Sequence, residues 1–199
     1  AHENILSERF TAVHAVHITA LEAQELARAR ALVCACPTTE RNLGDGIVPA
    51  DVLFEAGARI SLGTDSHTQI ELLEDARELE YHLRLQKLER NVLAPESTAV
   101  DALACRLFES ATTHGAASIG APGGALEAGQ AADFFTVALD DPSIAGAGAD
   151  ELLSSIVFSL ARTAIREVFV GGRQIVQDGV HAEQQEIIEK FVALQKKLW

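Results

Sequence analysis

The spacing of apolar positions changes several times along the chain, and each change predicts an element. Phe10 to Val16 is a strand-like apolar run, with His17 just beyond it. Leu21, Leu26 and Ala27 then share one side of a helical pattern, opposite Glu22, Glu25 and Arg28. Thr19 before that helix, followed three residues later by Glu22, has the form of a capping box. Ala31 to Cys36 reads as a second strand, stopped by Pro37, and the polar stretch Thr38 to Gly46 reads as a loop. Pro49 opens a short helix over Ala50 to Ala58. Next comes a buried strand in Arg59 to His67, where Ile60 and Leu62 alternate with small residues and Gly63 leaves room for a close approach. It runs out into Asp65 and His67, and a helix follows from Gln69 to roughly Glu89. The order β-α-β-loop-α-β-α predicts an α/β fold with a parallel sheet and right-handed crossovers.

Beyond Pro95 the pattern changes. Two small alanine-rich helices are predicted over Val100 to Gly115 and Ala116 to Ile119, then a Gly/Pro connector from Gly120 to Gly129. Ala132 to Ala138 is a strand turned by Asp140-Asp141-Pro142, and Leu152 to Ala161 is helical. Ile165 to Val170, Gly171-Gly172 and Gln174 to Val176 form a hairpin. The last pattern, Glu183 to Trp199, is a helix with Ile187, Ile188, Phe191, Leu194 and Leu198 on one face.

The 48% apolar content of the 199 residues is enough for a true core. A formal charge of -13 argues against nucleic acid or an anionic membrane as partner, since both demand clustered Lys and Arg. No apolar run reaches the length of a membrane span, and no signal-peptide pattern opens the chain. Three cysteines make no disulfide framework, so a reducing cytoplasm is expected. Cys34 and Cys36 would share a strand face and are read as packing rather than as metal ligands. The sequence has no methionine, and a fragment of a longer protein is expected.

In parallel α/β folds ligands sit at the carboxyl ends of strands, which makes Asp65 the first candidate for chemistry. Its alternative is a cap for the following helix. His14 and His17, three apart at a strand end, cannot share one face unless the chain bends there. His67 would share the direction of Asp65 if the chain were extended. A carboxylate and imidazoles from separate strand ends can build a metal or acid–base centre. His2, His82, His114 and His181 read as surface or structural residues. The loop carrying Glu40, Arg41, Asn42 and Asp45 lacks the glycine spacing and lysine of a phosphate cradle, and no Ser-His-Asp elbow is present.

Val13-His14-Ala15-Val16-His17, the stretch Pro37-Thr38-Thr39-Glu40-Arg41-Asn42-Leu43-Gly44-Asp45-Gly46-Ile47, and Leu62-Gly63-Thr64-Asp65-Ser66-His67 resemble the amidohydrolase superfamily. They fall in the order of its sixth, seventh and eighth barrel strands. The Thr39-Glu40 to Gly46 loop most resembles the formimidoylglutamate deiminases of histidine degradation. Gly123 to Phe134 and Val168 to His181 resemble the small β-sandwich beside that barrel.

The resemblance implies the C-terminal part of a (β/α)8 barrel over residues 1–120, returning sandwich strands with an inserted helix over 121–182, and a C-terminal helix over 183–199. It implies a zinc-dependent hydrolase that converts N-formimino-L-glutamate to N-formyl-L-glutamate and ammonia. Asp65 would be the metal ligand and proton shuttle, and His14 would polarise the reacting group. Glu40, Asn42, His17 and His67 would shape the substrate pocket. The superfamily's metal histidines on earlier strands are absent, so zinc is expected in the full-length parent, and absent or weakly held here. This chain alone is expected to be inactive. Uncovered strand edges and apolar faces predict self-association into a homo-oligomer. The alternatives are another aminohydrolase or chlorohydrolase of the superfamily, or a non-catalytic self-associating module.

Overall fold

The computed structural model describes residues 5–199, and His2 lies outside the described residues. Three short strands, β1 (Thr11–Val13), β2 (Leu32–Ala35) and β3 (Arg59–Leu62), form a parallel sheet in the order β1-β2-β3. Helix α1 (Ala20–Arg28) crosses from β1 to β2, while α2 (Pro37–Leu43) and α3 (Ala50–Glu55) lie between β2 and β3. Then come α4 (Leu72–Lys87), α5 (Ala102–Ala111) and α6 (Thr113–Ser118). A second, antiparallel sheet runs in the order of β4 (Phe134–Val137), β5 (Ile165–Val170), β6 (Arg173–Gln177) and β7 (Val180–His181). Helix α7 (Leu152–Ser159) is inserted between β4 and β5, and α8 (Gln184–Leu198) ends the chain.

β2 and β3 are buried because helices cover them, which is why they read as apolar runs, whereas β1 is only partly covered and leaves Val13 exposed. Val33, Ile60 and Ala35 meet Leu53 of α3, Leu79 and Leu83 of α4, Leu107 of α5 and Val157 of α7 in the main core. Leu73, Ile144, Leu160 and Ala164 form a smaller cluster with Val137 and Ile165, joining the helices to the second sheet. In that sheet Phe134 stacks on Phe169 with ring centroids 4.5 Å apart. The capping box on α1 is present: Glu22 N–H donates to Thr19 Oγ1 at 3.3 Å, and Thr19 N–H to Glu22 Oε2 at 2.9 Å.

Two expectations need correction. The stretch from Thr38 is a helix over most of its length, not a loop. Pro37 at its first position and Gly44 in a left-handed conformation (φ 75°) at its end bracket it, as the preferences of Pro and Gly at helix ends would have it. The first strand is shorter than Phe10 to Val16, because His14 (φ 66°) and Ala15 (φ 52°) leave the extended region. The pair β6–β7 adds a strand that the hydrophobic pattern does not announce, since Val180–His181 spans only two residues.

Helix α2 has no side-chain cap from its own Cys36. Asp75 of α4 substitutes: Thr38 N–H and the Thr38 hydroxyl both donate to Asp75 Oδ1, at 3.0 and 2.8 Å. Asp75 is fully buried and its Oδ2 has no partner among the described residues; burial pushes its carboxyl above the ordinary range, against the lowering effect of Thr38. A carboxyl whose pKa is raised in the native state binds its proton more tightly there than in the unfolded chain. Stability is therefore expected to fall as pH rises from the unfolded value, near 3.8, through the raised native one. Asp75→Asn keeps the Oδ1 acceptor and cannot ionise. Its unfolding free energy, measured by urea titration from about pH 4 upward, is expected to lose part of that fall; an unchanged slope would refute this account.

Candidate active site

The carboxyl ends of β1 and β3 converge over the end of β2. His14 follows β1 directly, and its N–H still donates to Cys34 O at 2.8 Å, so the ladder holds the residue while its φ turns the chain aside. Asp65 lies three residues beyond β3 and is also left-handed (φ 52°). Non-glycine residues rarely take this conformation, and such strain gathers at functional sites.

Thr39 of α2 holds the Asp65 turn. The Thr39 hydroxyl donates to Thr64 O at 2.8 Å, Ser66 N–H donates back to Thr39 Oγ1 at 3.0 Å, and Ser66 Oγ lies 2.9 Å away. The capping alternative for Asp65 fails: the residue before α4 is Glu71, and it makes no side-chain cap. Asp65 is thus free for another role, with His14 Nε2 at 3.9 Å from its Oδ2.

Beneath His14 sits Glu40, with 1% of its side chain exposed against 36% for His14 and 48% for Asp65. Glu40 Oε1 accepts the Cys36 N–H at 2.9 Å and lies 3.1 Å from His14 Nδ1. Burial pushes the Glu40 carboxyl up, while Cys36 N–H and His14 pull it down. The helix places Glu40, read from the sequence as shaping the substrate pocket, buried beside His14. Asn42 lies on the exposed end of the same helix.

His17 and His67 are exposed. The chain does bend at His14 and Ala15, and His14 and His17 both line a concavity of about 910 Å³ beside α1, with Val16, Glu22, Leu26 and Asp45. That concavity does not include Asp65, so it lies beside the His14–Asp65 pair rather than over it. The premise for aligning His67 with Asp65, an extended chain, does not hold, because β3 stops at Leu62. His114 is structural, its Nδ1 3.0 Å from Ile60 O, and His82 pairs with Glu78 at 2.7 Å.

Cys34 and Cys36 pack together as expected. Gly63 leaves room beside them, since a Cβ there would lie 3.0 Å from Cys34 Sγ and the thiol would have to shift. The hydrogen bond from Cys36 lowers the Cys34 thiol to about 7, and its counterpart, with burial, pushes Cys36 up. His14, Cys36 and Glu40 bring ligand-type atoms within 4.8 Å of one another. Within it Glu40 and His14 are already engaged with each other, Oε1 to Nδ1 at 3.1 Å.

A catalytic zinc uses three protein ligands and an open position. His14 Nε2 and Asp65 have suitable chemistry but number two, so they do not complete such a centre within this chain.

Residues 2–175 match the model of the amidohydrolase family. A formimidoylglutamate deiminase of Pseudomonas aeruginosa is 36% identical over 192 residues, which is 96% of this chain and 42% of that protein. A 5-methylthioadenosine/S-adenosylhomocysteine deaminase of Natronomonas pharaonis is 30% identical, over 87% of this chain and 38% of its own length. Among solved structures, an amidohydrolase from Brucella melitensis superposes with a TM-score of 0.87 at 30% identity, over 99% of this chain and 43% of that one. An adenosine deaminase from Xanthomonas campestris, solved with bound zinc, matches in fold with a TM-score of 0.83 at 21% identity, over 97% of this chain and 43% of its own. The chain thus spans less than half the length of these relatives.

Proposed function

From the premise that this chain belongs to the amidohydrolase family, we propose that it is the C-terminal part of a metal-dependent deiminase acting on N-formimino-L-glutamate. The juxtaposition of His14 Nε2 and Asp65 Oδ2 across the strand ends supports this reading, as does the 36% identity to a formimidoylglutamate deiminase. In it, residues 1–120 carry strands six to eight of the barrel, 121–182 the returning strands of a small sandwich with an inserted helix, and 183–199 a terminal helix. A divalent metal, held by Asp65 and by ligands from outside this chain, would supply a water acidified toward neutrality.

The roles assigned to this chain's own residues are those that the resemblance to the family implies. Water oxygen adds to the formimino carbon, the bond from that carbon to its terminal nitrogen breaks, and that nitrogen leaves as ammonia carrying both water protons, giving N-formyl-L-glutamate. Asp65 takes the proton of the attacking water and returns it to the departing nitrogen. His14 Nε2 hydrogen-bonds the reacting group.

Because Asp65 alone falls short of a catalytic zinc site, the purified 199-residue chain with zinc is expected to release no ammonia from N-formimino-L-glutamate. Turnover by the chain alone would overturn the assignment of the remaining ligands to other residues. A related deaminase is the second reading, carried by the 30% identity to the Natronomonas protein. Rates of the full-length protein on N-formimino-L-glutamate and on 5-methylthioadenosine decide between them.

The isolated chain is also expected to self-associate. β1 pairs on one side only among the described residues, and α8 leaves Ile187, Phe191, Leu194 and Leu198 about half exposed. Sedimentation across a concentration series tests this, and a monomer throughout would dismiss it.

A further inference from the structure

Glu40 is a buried acid that the proposed reaction does not use directly, yet its oxygen points at the imidazole that reaction depends on. Cys36 N–H can only donate, so Glu40 Oε1, which it contacts at 2.9 Å, acts as an acceptor. The same oxygen lies 3.1 Å from His14 Nδ1. An oxygen with two lone pairs, already oriented by a backbone donor, is complemented by a second donor. That holds for an ionised Glu40 and equally for a protonated one whose proton sits on the other oxygen. A proton on His14 Nδ1 meets that acceptor, and a neutral ring so protonated has Nε2 as its unprotonated nitrogen, 3.9 Å from Asp65 Oδ2.

We propose that Glu40 is a positioning residue that fixes His14 in the Nδ1–H tautomer, with Nε2 presented to the reacting group. The inference rests on the reading of His14 given above. The scaffold suits the task. Glu40 belongs to a helix whose first turn is tied to α4 through Thr38 and Asp75, and whose Thr39 holds the Asp65 turn. One short helix therefore sets both the orientation of His14 and the backbone around Asp65. An imidazole held from behind by a carboxylate keeps one ring orientation, and loss of such a partner from a metal or catalytic site costs roughly tenfold to hundredfold in activity.

The direct test is the tautomer of His14 in this chain, read from long-range proton–nitrogen correlations of the imidazole. The unmodified chain should show a protonated Nδ1 and an unprotonated Nε2. Glu40→Gln retains an oxygen acceptor, which Cys36 N–H orients, and should keep that signature. Glu40→Leu removes the acceptor and should shift His14 to the Nε2–H form. An Nε2–H tautomer in the unmodified chain overturns the proposal whether or not Glu40→Leu folds, and so does an unchanged tautomer in folded Glu40→Leu.

In the full-length protein, Glu40→Leu should lower kcat by roughly tenfold to hundredfold with little change in KM, while Glu40→Gln stays near the parent rate. An equal loss in both variants would overturn the positioning role. His14→Gln separates the two claims: unimpaired turnover there would sink the role of His14 in the reaction, and the tautomer measurement would still judge Glu40.

Discussion

Replacing Asp65 by Asn in the full-length protein is expected to lower kcat for ammonia release by roughly 10²–10⁴-fold, the range for a lost general acid–base group. The amide keeps the shape of the carboxylate but can neither accept the proton of water nor deliver it to the leaving nitrogen. The fold should not suffer. Asp65 has 48% of its side chain exposed, and the turn around it is held through the backbone of Thr64 and Ser66 by Thr39. Thermal unfolding of Asp65→Asn should therefore match the parent, so that lost activity reports chemistry rather than misfolding. Bound zinc should fall in the same variant, because Asp65 is assigned as a ligand. If kcat changes by less than about tenfold, below the usual contribution of such a group, Asp65 is not the proton carrier.

The second large effect concerns stability and lies far from the site. Glu80 of α4 is fully buried, and its carboxylate accepts Val92 N–H at 3.0 Å, Leu93 N–H at 2.9 Å and Arg84 Nε at 2.6 Å. It thereby fastens the segment after α4 onto the helix and seats Leu93, 1% exposed, in the main core. Glu80→Ala would strand two backbone donors and an arginine at once, and breaking a buried charged contact of this kind costs about 3 kcal/mol or more. Glu80→Gln should cost less, about 1–3 kcal/mol, because its amide nitrogen would face one of the same donors. Urea unfolding of the isolated chain measures both. A loss under about 1 kcal/mol in Glu80→Ala would show that these contacts are readily replaced by water.

Much of this architecture is written in local patterns. The strand Ile165–Val170 coincides with its apolar run, because edge and turn signals, Gly171 and Gly172, bound it closely. The capping box at Thr19 and Glu22 needs only residues three apart, and it forms as spacing demands. Membership of the amidohydrolase family is legible in the stretches Val13 to His17, Pro37 to Ile47 and Leu62 to His67, two of which carry His14 and Asp65. The helix at Pro37 to Leu43 carried a readable signal too, Pro at its start and Gly44 just past its end. The polarity of Thr38, Thr39, Glu40 and Arg41 concealed it, because three of these polar residues, Thr38, Thr39 and Glu40, are buried.

Local pattern stops where polar groups find partners far along the chain. The sequence by itself determined the parallel α/β start, the antiparallel tail and the two residues, His14 and Asp65, set at strand ends. Only the tertiary structure decided that Glu40 lies beneath His14, that Asp75 caps a helix it does not belong to, and that Glu80 closes a segment twelve and thirteen residues away. The physical reason is common to all three. A carboxylate is tolerated in the interior only when donors reach it, and those donors come from elements that folding, not sequence proximity, brings alongside.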